Sequence, residues 1–408
     1  MARPVNLAGI DVGSSMARVA VGSVDRGQLL LLGFGEAPME GMQKGVVTDV
    51  EDAVRSVSAA LDAAERMAGV PVERGYVSIN GSHISSQNTR GVIAVSRADG
   101  EITAEDVTRV INAAQAVSLP SNREILHVLP QNYIVDGHEH ISDPVGMTGV
   151  RLEVEAHMIE GSTPFVKNIT KVVNQAGVHI EDFVFAPLAA AQATLDKRQR
   201  ELGVVLVDLG AGTSSMVVYE ETRLRHTAVL PLGSSHITND VAIGLRTSID
   251  AAEEIKRKYG TALPEAVKES ESIVIEGDDE QGSVSRKEVA NIIRARLDEI
   301  LTFVDRELTS IGRSGLLPAG VIFTGGGAQL PGLVEVAKGK LRLPARIGAM
   351  RMFETGLDAA NDPARAVVLG LILWAREMEQ AARRRPMNIP DMRVTVGKVR
   401  HWLRSFLP

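Results

Sequence analysis

A layered α/β fold built from two similar lobes is predicted by three observations. Strand-like runs of Val, Ile and Leu alternate with helical patterns along most of the chain, which favours α/β layering over a bundle or a sandwich. Two segments half a chain apart, "AGIDVGSSMARVAVG" (Ala8 to Gly22) and "VLVDLGAGTSSMVVY" (Val205 to Tyr219), share a buried strand, an Asp-x-Gly turn, small hydroxyls, Ser-Met and a second strand. A third glycine turn, Gly325-Gly326-Gly327, directly follows the strand "GVIF". The paired segments are the mark of a duplicated lobe.

The elements follow in order. Residues 5–35 read as consecutive strands, "VEDAVRSVSAALDAAERMAGV" as a helix ending at Gly69, and "GYVSINGSHIS" as a return to strand. From about 83 to 162 a compact insert of strands surrounds one helix, "TAEDVTRVINAAQAV", opened by Thr103 with Asp106 in a near capping box. A helix from about Thr163, the strand "VHIEDFVFA" and an alanine-rich helix starting at Pro187 complete the first half. The strand "LGVVLVDLG" opens the second, followed by the helix "SIDAAEEIKRKYG", the polar loop "EGDDEQGS", expected to stay mobile, and a long helix from Arg286 to Ile311. The stretch "ARAVVLGLILWA" (Ala364 to Ala375) is too short to span a bilayer and reads as a buried helix, with "QAARRRPMNIPDMR" as a linker after it.

Composition narrows the chemistry. At 408 residues, 44% of them hydrophobic, the chain is expected to form two or more domains. A net charge of −7, from 44 basic and 51 acidic residues, offers no global field for nucleic acid, and no such partner is expected. With no cysteine, disulfides, thiolate nucleophiles and sulfur-ligated zinc are excluded. The opening "MARPVNLAGIDVGSS" has no long apolar signal region, so the protein is expected to stay inside the cell.

Glycine turns can aim backbone N–H groups at a phosphate because no Cβ blocks its approach. Gly13 with Ser14 and Ser15, and Gly210, Ala211 and Gly212 with Thr213 and Ser214, would grip a polyphosphate from two sides. Asp11 and Asp208, at the strand ends, would hold Mg²⁺ through water, since that ion keeps much of its hydration shell. The third turn would let a flat base or ribose lie on its backbone. Neither a GxxxxGK[ST] loop nor a full dinucleotide fingerprint occurs, so nucleotide binding between lobes is the remaining reading. His138 and His140, although spaced like a metal-ligating pair, read as polar surface, and Met16 and Met216 as core behind each hairpin.

The two Asp-x-Gly hairpins and the late glycine turn resemble the actin, Hsp70 and hexokinase superfamily, whose lobes are duplicated RNase H-like cores. That resemblance implies phosphate loops at the hairpins, an adenosine loop at Gly325, Gly326 and Gly327, and base or ribose contacts from Glu253, Lys256 and Arg257. A closer likeness covers about residues 7–375: "ILHVLPQNYIVDG", "DPVGMTGVRLEV", "LRHTAVLPLGSSHITNDVA" and "VIFTGGGAQLPGL" resemble the FtsA family of actin-like division proteins. It implies ATP and Mg²⁺ as cofactors, self-association into filaments, docking of the FtsZ C-terminal peptide, contacts with other division proteins, and attachment to the cytoplasmic face of the membrane at the septum. It also implies a division into subdomain 1A (1–82, 163–197 and 357–380), 1C (83–162), 2A (198–235 and 305–356), 2B (236–304) and a linker (381–393). PilM, the related actin-like protein of pilus assembly, is the nearest alternative, with an Hsp70-like chaperone or a sugar kinase further off.

Two departures bear on hydrolysis. Chaperones of the superfamily begin the helix after the first lobe with Glu-Pro, the Glu positioning the attacking water; here the pair is Ala186-Pro187. Many relatives end the second phosphate loop in an acid where this chain has Ser215. Gln192, further along the alanine-rich helix, is the only substitute in view, so good ATP binding with at most slow hydrolysis is expected.

The last segment, 394–408, reads as an amphipathic helix. Val396, Val399, Trp402, Leu403, Phe406 and Leu407 form one apolar stripe, with Lys398, Arg400 and Arg404 on the other faces. It is too short to cross a bilayer but suits its interface, where three cations near anionic lipid add about 3 kcal/mol to the apolar burial.

Overall fold

The computed structural model describes residues 5–25, 28–275, 282–350 and 362–383. The amphipathic segment, with its membrane residues Val396 to Leu407, lies outside them, as do most of the expected linker and residues 276–281 of the polar loop.

The first lobe opens with β1 (Val5–Val12), β2 (Met16–Asp25) and β3 (Gln28–Pro38), a small hairpin of β4 (Met42–Gln43) and β5 (Val46–Val47), α1 (Val50–Ala68) and β6 (Arg74–Ile79). The insert holds β7 (Ser85–Ala94), α2 (Ala104–Gln115), β8 (Arg123–Val135), β9 (His138–Ile141) and β10 (Arg151–Ser162). The first lobe resumes with α3 (Thr163–Gln175), β11 (His179–Phe185), α4 (Ala186–Thr194) and α5 (Lys197–Leu202). The second lobe contains β12 (Val204–Leu209), β13 (Ser214–Glu220), β14 (Arg223–Leu230), α6 (Ser234–Leu245), α7 (Ile249–Tyr259), β15 (Ser272–Ile275), β16 (Gly282–Ser285), α8 (Arg286–Ser310), β17 (Val321–Thr324), α9 (Leu333–Leu341) and β18 (Ala345–Ile347). The final helix, α10 (Ala366–Arg383), returns to the first lobe and runs over the first residues of the expected linker.

The duplication extends to topology. One sheet runs β3-β2-β1-β6-β11 and the other β14-β13-β12-β17-β18. In each, the central strand pairs antiparallel with its hairpin partner and parallel with the strand on its other side. Both sheets therefore carry the actin-like order, and helices cover them because parallel pairs need crossover connections.

Local chemistry explains the element ends. Asp49 caps α1 by accepting from the N–H groups of Glu51 and Asp52, and Ala53, Val57, Ala60, Leu61 and Ala64 form its buried stripe. The alanine-rich α4 is buried along almost its whole length, packed between α10 and strands of both lobes. Its small side chains let the two cores approach through one shared helix. On α10 the apolar run from Ala366 to Ala375 is buried with Trp374, as the sequence indicates. No helix among the described residues is long and apolar enough to cross a membrane.

The insert is a four-stranded sheet, β7-β10-β8-β9, with α2 packed on it. Its exposed surface includes His138 and His140, and no cluster of three or more metal-ligating side chains occurs among the described residues. One flank lies against β14, the outer strand of the second sheet. Gln131 Nε2 donates to the carbonyls of Leu224 (2.8 Å) and Arg225 (3.1 Å), and Ser86 Oγ donates to the carbonyl of Thr227 (3.0 Å). His157 is buried between Asn88 (2.7 Å) and the Thr227 hydroxyl (2.8 Å), and burial lowers its pKa to about 3. Edge carbonyls that would otherwise invite strand pairing are thus used within the chain.

Asp106 closes the capping box of α2. Its carboxylate accepts from Thr103 N (3.0 Å), Thr103 Oγ1 (2.7 Å), Ser96 Oγ (2.7 Å) and Arg109 (2.9 Å), with no exposed surface. Burial pushes its pKa up, but the bonds from Thr103 and Ser96 outweigh that and hold it at about 2. D106A is expected to lower stability by about 3 kcal/mol in denaturant unfolding, since a cap and several charge-assisted bonds are lost together. In the wild type this contribution is present above the ordinary aspartate range and fades as pH falls from about 4 towards 2.

Candidate functional site

The loops at the carboxyl ends of the central strands converge on one cleft of about 770 Å³ between the lobes, a size suited to a nucleotide. The two hairpin turns lie at its floor and are built alike. Gly13 N–H donates to the Met16 carbonyl (3.2 Å), and Gly210 N–H donates to the Thr213 carbonyl (3.0 Å). Gly13, Ser14, Ser15, Gly210, Ala211, Gly212 and Thr213 all line the cleft. The third turn supplies one wall with Gly325, Gly326 and Gly327, and α6 and α7 supply another with Thr238, Glu253, Lys256 and Arg257.

The equivalence extends to the aspartates. Asp11 and Asp208 are buried one residue before the ends of β1 and β12, and both line the cleft. Each accepts a hydroxyl from the neighbouring parallel strand: Ser78 Oγ donates to Asp11 (2.7 Å) and Thr324 Oγ1 to Asp208 (3.3 Å). Burial raises the pKa of Asp11, while the nearby Arg18 guanidinium at 4.0 Å acts against it. Burial, and then the charge of Asp11, raises Asp208 to about 7. Two carboxylates desolvated together disfavour double ionisation, which a cation near both would relieve.

The lobes touch at this floor. A Cβ on Gly212 would stand 2.8 Å from Lys44 Cα and 3.0 Å from Ser14 Oγ, so only glycine lets the second hairpin rest on the first and on the β4–β5 turn. Ser14 Oγ accepts from Gly45 N–H (2.9 Å), which ties that turn to the first hairpin. Behind the second hairpin, Ser234 and Ser235 N–H groups donate to the carbonyls of Gly210 (2.8 Å) and Ala211 (2.9 Å), so the start of α6 braces the loop.

Several sequence expectations change. Ser214 is fully buried and its hydroxyl donates to the Leu232 carbonyl (2.6 Å); the alternation of β13 turns it away from the cleft. Gln192 is also displaced: it bonds Glu377 and accepts from Arg200 (3.0 Å), outside the cleft. Ala186 is the α4 residue that lines the cleft, and six further positions carry Gln192 about 120° round the helix. Met216 packs in the second core as expected, whereas Met16 lines the cleft. Glu253 and Lys256 reach the cleft but also pair with each other (2.5 Å), with Thr238 Oγ1 donating to the same carboxylate (2.5 Å).

Sequence reasoning missed Asn80, Thr238 and Gln329, which also line the cleft. For Asn80 the strand register supplies the reason. Ile10 lies opposite Val77 and Asp208 opposite Thr324, so Ser78 stands beside Asp11 as Thr324 stands beside Asp208, and Asn80 becomes the counterpart of Gly326. The duplicated lobe thus predicts a site turn after β6 as well as after β17.

Gly325 has φ +83°, and a Cβ there would lie 2.6 Å from the Leu209 carbonyl oxygen and 2.7 Å from Asp208 Oδ1; at Gly326 a Cβ would meet nothing. G325A is therefore expected to cost about 2 kcal/mol or more in equilibrium unfolding and G326A less than about 0.5 kcal/mol. Equal losses from the two variants would contradict this assignment of strain.

Comparison with known proteins agrees with this geometry. A family model described as cell division protein FtsA matches residues 205–370, and one described as the SHS2 domain inserted in FtsA matches residues 81–160. The cell division protein FtsA of Bacillus subtilis is 40% identical over 368 residues, covering 90% of this chain and 82% of that protein. FtsA of Pseudomonas aeruginosa is 37% identical over 376 residues, covering 91% and 90%. Among solved structures, the PilM-PilN type IV pilus biogenesis complex aligns with a TM-score of 0.66 at 16% identity, covering 91% of this chain and 99% of that one. MreB5 of Spiroplasma citri bound to ADP aligns with a TM-score of 0.57 at 12% identity, covering 93% and 99%. These two likenesses are of fold alone, whereas the identity to the FtsA proteins runs through lobes and insert together, so the chain belongs to the FtsA family of actin-like cell division proteins.

Proposed function

We propose that this chain binds ATP with Mg²⁺ in the interlobe cleft, polymerises, and tethers the FtsZ ring to the cytoplasmic face of the membrane at the division septum. The observation that carries the nucleotide site is the pair of matching glycine hairpins facing each other over Asp11 and Asp208. Their N–H groups and the Ser14, Ser15 and Thr213 hydroxyls would take the phosphates, and the backbone of Gly325 to Gly327 with Glu253, Lys256 and Arg257 would take adenosine. The Asp11 and Asp208 carboxylates fit a hydrated Mg²⁺: both are acidic oxygen donors, both are buried, and their mutual repulsion leaves a cation favoured. When bound, such an ion would neutralise phosphate charge.

Slow turnover is expected from two positions that carry no carboxylate: at Ala186 the side chain is a methyl group, and the Ser215 hydroxyl donates its one proton to Asn80 (2.9 Å). The protein is thus a nucleotide-dependent scaffold before it is an ATPase. Subdomains 1A, 2A and 2B (236–304) would frame the cleft, 2B would also receive the FtsZ C-terminal peptide, 1C (83–162) would meet other division proteins, and filaments would form from copies of the chain. The segment 394–408 would lie in the membrane interface, and many such weak anchors on one filament would hold by avidity. The PilM-like reading is not favoured, because identity of 40% and 37% to FtsA proteins contrasts with 16% to the pilus protein.

Two measurements test this. Because Asp208 must ionise to hold the cation, MgATP affinity measured by calorimetry is expected to fall as pH drops through about 7, by up to tenfold per unit, and D208N is expected to bind weakly with little pH dependence. Deleting residues 394–408 is expected to abolish flotation with anionic liposomes while leaving MgATP affinity unchanged; retained flotation would refute the anchor.

A further inference from the structure

Asn80 stands where the two lobes meet, between the end of β6 and the start of the insert, and its side-chain amide is fixed at both ends. Its Oδ1 accepts from the backbone N–H of Gly81 (2.9 Å) and from Ser215 Oγ (2.9 Å). A backbone N–H can only donate, so the oxygen must face that side and the amide NH₂ must face the other. There Asn80 Nδ2 donates to Thr213 Oγ1 at 3.4 Å.

The consequence falls on Thr213, which lines the cleft at the tip of the second hairpin and is 5% exposed. A threonine hydroxyl has one proton. With its oxygen already accepting from Asn80, that proton is free to donate, and among the described residues no acceptor is bonded to it. The cleft is where an acceptor would arrive.

We propose that Asn80 is a positioning residue for anion binding: it holds Thr213 as a hydrogen-bond donor aimed at a phosphate oxygen of the bound nucleotide. The proposal rests on the nucleotide-site reading and adds to it a cross-lobe element, since Asn80 belongs to the first lobe and Thr213 and Ser215 to the second. The donor is therefore oriented only while the lobes are closed at the floor, and opening the cleft releases it. Grip by the second hairpin becomes conditional on the first lobe.

The test is a double-mutant cycle on the full chain, with MgATP affinity measured by calorimetry for the wild type, N80A, T213V and N80A/T213V. Each single change is expected to weaken binding about tenfold, and the double variant is expected to be no weaker than T213V alone, because Asn80 acts through that hydroxyl. A second cycle replaces N80A by N80D, which keeps the acceptor for Gly81 and Ser215 but offers Thr213 a carboxylate oxygen in place of a donor. The loss caused by N80D is expected to be larger with Thr213 present than in the T213V background, any charge repulsion being common to both. Additive losses in either folded cycle, about a hundredfold for N80A/T213V, would make Asn80 merely structural and overturn the proposal. Absence of ATP binding by the wild type would instead overturn the nucleotide reading beneath it.

Discussion

Two carboxylates buried at the ends of equivalent strands set the terms for everything around them. Asp11 and Asp208 are held out of solvent, each by one hydroxyl from the adjacent parallel strand, and burial opposes their charge. Leaving such groups charged and unpaired is costly, so a positive charge placed near both of them would be favoured. The glycine turns follow from the same constraint. Gly325 cannot carry a Cβ because the Leu209 carbonyl oxygen and the Asp208 carboxylate occupy that space, and Gly212 cannot because the opposite lobe does. Glycine is thus a packing requirement at Gly325 and Gly212, whereas at Gly326 a Cβ would meet nothing.

Among the described residues the lobes meet in several places. The shared helix α4 joins their apolar cores, the Asn80 amide joins the hairpins at the floor of the cleft, and the insert joins the first lobe to the outer edge of the second sheet. The last of these is the most polar, built from side chains that satisfy the carbonyls of Leu224, Arg225 and Thr227 and from a histidine kept neutral by burial. A polar interface of this kind holds register at little net cost and can be exchanged for water. The insert belongs to the first lobe by connectivity and leans on the second by contact.

The two positions expected to bear on hydrolysis sit differently in this arrangement. Ala186 enters the cleft at the start of α4, and the helix then carries Gln192 into a separate network with Arg200 and Glu377. Arg200 also lies over the Tyr219 ring at 5.0 Å, so that network braces the second hairpin's far strand from behind. Held in that network, Gln192 does not line the cleft.

Much of the protein was legible in the chain itself. The repeated Asp-x-Gly strand pairs imply duplicated lobes because the same local hydrogen bonding recurs wherever a strand, a glycine turn and a second strand recur. The capping box at Thr103 and the buried run around Trp374 are equally local and were read directly. What only the tertiary structure decided depends on direction and on distant partners. Ser214 points away from the cleft because pleating alternates from Thr213, and Met16 turns towards it. Asn80 looks like an ordinary turn residue until Thr213 and Ser215, more than a hundred positions away, are folded against it. Periodicity and turn chemistry are written in neighbours along the chain; a donor's target and a lobe's contact are written in neighbours across space.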